Sequence, residues 1–207
     1  MTEMNILALC SALDNSYIAF KYNNNNYSKI IKSDKNYHSL YLIKDIKDIL
    51  IEKSLKLDDF DLFTVNCGPG SFTGIRVALT ISKIIAGELN KPLIPLNTAE
   101  ILLNAYNSDY LFMDARRDMY FIGNKEKIEL VPKDTLVKSI DNYKDKNIVC
   151  DKRCLNLFDN AVCYEEKETD LGSVMLKLAE EKFKTGKESD FNYMNVKANY
   201  IQTPPVF

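Results

Sequence analysis

The segment CGPGSFTGIR, residues 67–76, holds Gly68, Gly70 and Gly74, three of the seven glycines in the chain, between an apolar run and a long amphipathic one. A glycine-rich turn from strand to helix presents backbone N–H groups and the positive end of the helix dipole, so an anion can be bound there. Gly68, Gly70, Ser71, Thr73 and Gly74 are the residues that would touch a nucleotide or another anion. The spacing, however, is G-x-G-x-x-x-G, which is neither a dinucleotide fingerprint nor a P-loop, and no lysine follows Gly74 to reach a β- or γ-phosphate. Pro69 also removes one N–H from any phosphate cradle. The competing reading is a rigid turn in which Ser71 or Thr73 caps the following helix.

A second polar cluster, Asp114, Arg116 and Arg117 in MDARRDMY, stands just after a predicted strand. Paired arginines can grip a phosphate or a carboxylate, and Asp114 can instead lock one of them into an internal ion pair. Both readings stay open. Nucleophilic catalysis by Ser71 or Thr73 would need a base, and the only histidine, His38, lies far upstream. One histidine and no HxxxH or HExxH pattern leave metalloprotease chemistry nothing to build on. Cys10, Cys67, Cys150, Cys154 and Cys163 form no CxxC pair and read as reduced, buried small hydrophobes. No catalytic or metal-ligating residue is predicted.

The elements that must position these residues follow from the pattern of apolar side chains. MNILALC, SYIAFKY and YSKIIKS are rich in β-branched and aromatic residues, with Asn23–Asn26 between the last two, and predict a three-strand antiparallel meander. Leu42, Ile43, Ile46, Ile49 and Leu50 recur at helical spacing over 38–53. LFTVNCG is a buried strand closed by glycine. The helix over 72–89 is apolar almost all round, with Arg76, Thr80 and Lys83 as its polar stripe, so it is either buried between layers or offers an apolar side to a partner. A short strand bounded by Pro92 and Pro95 and a helix capped by Asn97 or Thr98 come next, and 104–109 reads as a linker. YLFMDA, DMYFIGN, KIELV, NIVC and NAVCY then predict strands, interrupted by a short helical stretch near 133–141, and residues 170–186 predict a closing helix.

The chain has 207 residues, enough for two α/β lobes of about 100 residues each. The expected lobes are 1–104 and 105–207, with the last residues packing back on the first lobe. Apolar residues at 46% and charged residues at 27% describe a globular protein rather than a disordered one. Lys plus Arg is 27 against 29 for Asp plus Glu, a net charge of −2, which argues against a strongly basic nucleic-acid-binding surface. No apolar segment approaches the roughly 20 residues that span a bilayer, so a cytoplasmic protein without membrane contact is expected.

GPGSFTGIRVALTISKIIA, then LNTAEIL, then DARRDMYF, with NILALC near the start, YHSLYL in the first helix and NYIQTP near the end, closely resemble the TsaB (YeaZ) family. These proteins take part in making the threonylcarbamoyl modification of adenosine 37 in tRNAs that read codons beginning with A. The resemblance implies a two-lobed actin, Hsp70 and sugar-kinase-like (ASKHA) fold, each lobe a mixed sheet with packed helices. It also implies a non-catalytic dimerisation partner for TsaD, a kinase-like subunit, with the ATPase TsaE joining the complex. Leu42, Ile46, Ile49, Ile75, Leu79, Ile81 and Ile85, on the helices at 38–53 and 72–89, are then the expected partner-binding residues, and a homodimer through the same surface is expected without TsaD. tRNA is reached through the complex, with Arg116, Arg117 and the glycine loop as the nucleotide or anion contacts. No intrinsic cofactor is expected, and ATP or ADP with magnesium belongs to the multi-subunit complex. Family members usually carry Asp-Thr-Ser at the end of the first strand, where this chain has Cys10, Ser11 and Ala12, and an arginine after the C-terminal tyrosine, where it has Tyr200, Ile201 and Gln202. The lost carboxylate argues against phosphoryl transfer. The alternative is an ASKHA-type nucleotide-binding hydrolase or kinase.

Overall fold

The computed structural model describes residues 4–32, 37–167 and 169–201. Strands β1 (Ile6–Cys10), β2 (Asn15–Tyr22) and β3 (Asn25–Lys32) form the predicted meander. Asn23 and Asn24 take φ of 47° and 61°, the left-handed pair that a tight hairpin turn requires, which leaves Asn25 and Asn26 free to extend β3. Helix α1 (Tyr37–Glu52), β4 (Leu62–Asn66), α2 (Phe72–Glu88) and β5 (Leu93–Leu96) follow. The first sheet runs β3-β2-β1-β4-β5, with β1 antiparallel to β2 and parallel to β4, and β4 parallel to β5. Pro95 lies inside β5 rather than bounding it, because an edge strand tolerates the missing N–H.

β1 and β4 are buried at every position, as strands covered on both faces must be. Leu7, Leu9, Ile18 and Phe20 pack in one core with Leu42, Ile46 and Ile49 of α1 and Ala78 and Ala86 of α2. Ala8 and Ala19, paired across β1 and β2, point to the other face. There Gly172 sits so close that an added Cβ would collide with Ala19 and Ser28.

Helix α3 (Thr98–Tyr106) leads to β6 (Tyr110–Arg116), β7 (Met119–Gly123), β8 (Ile128–Pro132), α4 (Lys133–Ser139), β9 (Ile148–Cys150) and β10 (Val162–Cys163). The second sheet, β8-β7-β6-β9-β10, repeats the plan of the first: an antiparallel meander whose first strand is continued by two parallel neighbours. Where the first has α2 between its last two strands, the second has only a 3-10 turn at Leu155–Leu157. Its core gathers Phe112, Ile122, Leu136, Ile148, Cys150 and Cys154, with the rings of Tyr143 and Phe158 against Phe112.

The expected division at residue 104 is corrected in two ways. The first compact unit is 1–98 together with 170–199, and the second is 99–169 with 200–207. Helix α5 (Leu171–Thr185), started by Asp170 whose carboxylate accepts from the Ser173 N–H, buries Leu171, Met175, Leu176 and Ala179 against β1, β2, β3 and β5. Its apolar face was predictable; the sheet it covers was not, because periodicity carries no information about long-range partners. Helix α3 also extends through the start of the expected linker to Tyr106. The expectation that the last residues pack back falls on 202–207, outside the described residues.

Candidate functional site

The glycine loop closes on its own chain. Gly68 has φ of 100°, and the peptide to Pro69 is cis. The Ser71 Oγ accepts from the Gly74 N–H at 3.2 Å and so caps α2, as one of the two sequence readings had it, while Thr73 lies exposed on the first turn. The Ser71 N–H donates to the Ala12 carbonyl at 2.8 Å, and the Ser11 hydroxyl donates to the Gly74 carbonyl at 2.7 Å. An added Cβ at Gly70 would fall on the Ala12 carbonyl, and one at Gly74 on the Ser11 carbonyl. These glycines therefore let the loop lie against the backbone that follows β1.

Asn66, fully buried at the end of β4, ties the arrangement together. Its Nδ2 donates to the Cys10 Sγ at 3.4 Å and to the Thr98 Oγ1 at 3.1 Å, and its Oδ1 accepts from the Gly68 N–H at 2.9 Å. The Thr98 hydroxyl has one proton, and the 2.6 Å contact to the Pro69 carbonyl takes it. Asn66→Ala leaves the buried Gly68 N–H without a partner, so a loss of about 2 to 3 kcal/mol is expected. It should appear as a lower urea midpoint with an unchanged slope.

The residues at the end of β1 and in the glycine loop do not fit magnesium-bridged ATP, the group that an ASKHA-type hydrolase or kinase would need. The end of β1 offers Cys10, Ser11 and Ala12 where a metal-bridged phosphate needs a carboxylate, and Asp14 lies exposed on the following turn. Burial holds the Cys10 thiol above its ordinary range despite the Asn66 hydrogen bond, so it stays neutral. The N–H groups of Gly68, Ser71 and Gly74 are already engaged within the protein. Among the described residues, no three His, Cys, Asp or Glu side chains are grouped to hold a metal ion.

Four of the partner-binding residues expected on α1 and α2 are corrected. Leu42, Ile46, Ile49 and Ile75 are buried in the chain's own interior, and Leu79, Ile81 and Ile85 are half-buried against the first core. The first four, already out of water, gain nothing from a partner, whereas Leu79, Ile81 and Ile85 keep part of their surface exposed. What the two helices leave outside is Tyr41, 46% exposed, Ile43 at 66%, Ile51 at 65% and Ile84 at 61%. Ile43, expected on the apolar face of α1, belongs to this outer set.

The second polar cluster lies in the other compact unit, where β6 turns into β7. Arg116, Arg117 and Asp118 take φ of 68°, 53° and 54°, and the ladder shifts register between Asp114 and Arg116. The Asp114 carboxylate accepts from the Arg116 N–H at 2.9 Å, pairs with the Arg153 guanidinium at 2.8 Å and lies 3.9 Å from that of Arg116. The ion-pair reading is met at Asp114, which engages Arg153 and lies near Arg116, while Arg117 is exposed and makes no ion pair among the described residues. Asp151 and Arg153 were missed. The Asp151 carboxylate, 6% exposed, accepts from the N–H groups of Asp114 and Cys154 and so fixes the end of β6 to the turn after β9. The signal was present as DKR directly after the strand NIVC. Burial pushes the neighbouring thiols up, that of Cys150 to about 12 and that of Cys154 further with help from the Asp151 charge, so both remain neutral packing groups.

A family model described as TsaD: tRNA N6-adenosine threonylcarbamoyltransferase matches residues 27–155, more than half of the chain. The tRNA threonylcarbamoyladenosine biosynthesis protein TsaB of Buchnera aphidicola subsp. Acyrthosiphon pisum is 24% identical over 91% of this chain and 96% of its own. The chain belongs to this family, among its TsaB (YeaZ) members. The TsaB of Buchnera aphidicola subsp. Baizongia pistaciae is 35% identical, but the match spans only 47% of this chain and 44% of that relative's length. A solved Pseudomonas aeruginosa structure, described as an uncharacterized protein with similarity to peptidase YeaZ, superposes with a TM-score of 0.78 over 97% of this chain and 100% of its own, at 16% identity. The TsaB/YeaZ fold of two five-stranded mixed sheets with packed helices is thus shared well beyond the reach of sequence identity. Among the described residues of this TsaB/YeaZ member, no helix is long and apolar enough to cross a membrane.

Proposed function

We propose that this chain is a non-catalytic scaffold and dimerisation subunit that binds TsaD, with TsaE joining, and is required for threonylcarbamoyl transfer to adenosine 37 of tRNAs that read codons beginning with A. The observation that carries this reading is the closed glycine loop. The Ser11 and Ala12 carbonyls lie against Gly74 and Gly70, the N–H groups of Gly68, Ser71 and Gly74 are engaged internally, and a neutral, buried Cys10 stands at the strand end. A chain that cannot itself hold a metal-bridged phosphate, yet exposes isoleucines on two helices, is built to be completed by a partner. ATP or ADP with magnesium is handled by the assembled complex, and tRNA is reached through it. Without TsaD, the same surface pairs two copies of this chain.

Reconstitution tests the reading. Unmodified tRNA, threonylcarbamoyl-adenylate, TsaD and TsaE are combined with and without this chain, and the modified nucleoside is measured. Product is expected only when the chain is present; an undiminished rate without it overturns the proposal. Turnover of ATP with magnesium by the purified chain alone would favour the nucleotide hydrolase or kinase reading instead.

A further inference from the structure

We infer that the β6–β7 turn is a contact for the phosphate backbone of RNA, with Arg117 at its tip and Arg116 and Arg153 beside it. Arg116, Arg117 and Asp118 are three consecutive residues other than glycine in the left-handed region. That conformation costs on the order of 1 kcal/mol per residue and persists only where neighbours enforce it. They do so here from both sides. The Asp114 carboxylate accepts from the Arg116 N–H, while the Lys133 N–H donates to the Asp118 carbonyl at 2.8 Å and its ammonium lies 3.7 Å from the Asp118 carboxylate. Arg117 is thereby held at the tip of a fixed turn, exposed, with no ion pair among the described residues.

The charge around the tip is unbalanced. The guanidinium groups of Arg116 and Arg153 both lie within 4 Å of the same Asp114 oxygen, and both side chains are more than half exposed. One carboxylate cannot neutralise two guanidiniums, and Arg117 adds a third. Asp118, in the turn itself, has the Lys133 ammonium 3.7 Å from its carboxylate, and Asp151 is buried and accepts from the N–H groups of Asp114 and Cys154. A local positive excess therefore stands on a chain whose net charge is −2. Tyr120, paired with Asp114 across the ladder, packs against the second core and leaves the arginines, with Asp118, as the polar groups of the turn. Several neighbouring guanidiniums suit a chain of phosphates better than a single carboxylate.

This inference rests on the proposed role in tRNA modification, and the experiment separates the two. Binding of an unmodified tRNA to the complex of this chain with TsaD and TsaE is followed by fluorescence anisotropy over a range of salt concentrations, and assembly of the protein complex is measured separately. Arg117→Ala is expected to weaken RNA binding about 3- to 10-fold and to reduce the slope of log affinity on log salt by roughly 0.7 to 0.9, the signature of one lost phosphate contact. Arg117→Lys should keep most of the slope. The Arg116→Ala, Arg153→Ala double variant should lose more. The chain's own melting temperature should not move for Arg117→Ala, since no internal pair is broken. RNA affinity and salt slope that stay at wild-type values overturn the inference. So does weakened protein assembly with intact RNA binding, which would assign the turn to a carboxylate on a protein. If modification proceeds without this chain while Arg117→Ala still weakens RNA binding, the proposed function fails and the RNA contact stands.

Discussion

Gly74→Ala is expected to cost about 3 to 5 kcal/mol and to leave the protein close to unfolding. On an ordinary helix the same change stabilises by up to about 1 kcal/mol, because alanine loses less backbone freedom than glycine. The sign is reversed here. The Cβ would occupy the position of the Ser11 carbonyl, and the same loop backbone is held from the other side by the Ser11 hydroxyl on the Gly74 carbonyl. The obstacle is main chain, so no side-chain substitution at Ser11 can relieve it. Separating α2 from the end of β1 would disturb the hydrogen bond from Ser71 to Ala12 as well. A fall in the urea midpoint of that size is the expected measurement, and a midpoint at or above wild type would show that the loop is not packed as described.

The second large effect is on assembly. Ile84→Glu on α2, and separately Ile43→Glu on α1, should each weaken association with TsaD, or of two copies with one another, by about 100-fold. A carboxylate forced into an apolar interface costs several kcal/mol, and loss of one buried anchor commonly costs 2 kcal/mol or more. Both isoleucines are more than half exposed in the single chain, and glutamate is at least as good a helix former as isoleucine, so the fold should be untouched. Calorimetric titration against TsaD, with thermal melting of each variant as control, makes the comparison. Wild-type affinity for both variants would remove α1 and α2 from the interface. Leu42→Glu would be uninformative for this purpose, because that side chain is inside the core and its substitution unfolds the protein.

That contrast also marks the limit of what sequence pattern reveals. Leu42, Ile46 and Ile49 recur at helical spacing because they face the chain's own sheet, so the most regular apolar face identified the core rather than a partner surface. A surface for a partner consists of the apolar residues left over at irregular positions, such as Ile43, Ile51 and Ile84. Strands, hairpin turns and the Ser71 cap were legible because each depends on residues close in sequence. The closure of the loop by Ser11 and Ala12 was not, since nothing local to CGPGSFTGIR says that another backbone fills its glycine spaces. Arg116 and Arg117 were legible as a pair, but Asp151 and Arg153, which organise the turn, come from a separate strand end and are visible only once β6 and β9 lie side by side.

The return of α5 to the first sheet has a consequence for biosynthesis. A chain leaving the ribosome releases β1 to β5 early, but the Ala8 and Ala19 face of their sheet has no cover until residues 170–185 have emerged. The Asn199 N–H, which donates to the Cys67 carbonyl beside the glycine loop, arrives later still. Residues 99–169 of the second unit are contiguous and meet no such delay. The usual N-to-C order of domain folding is therefore inverted. The sheet synthesised first is covered last, and a chain truncated before Asp170 would carry a complete second sheet together with a first one whose Ala8 and Ala19 face is bare.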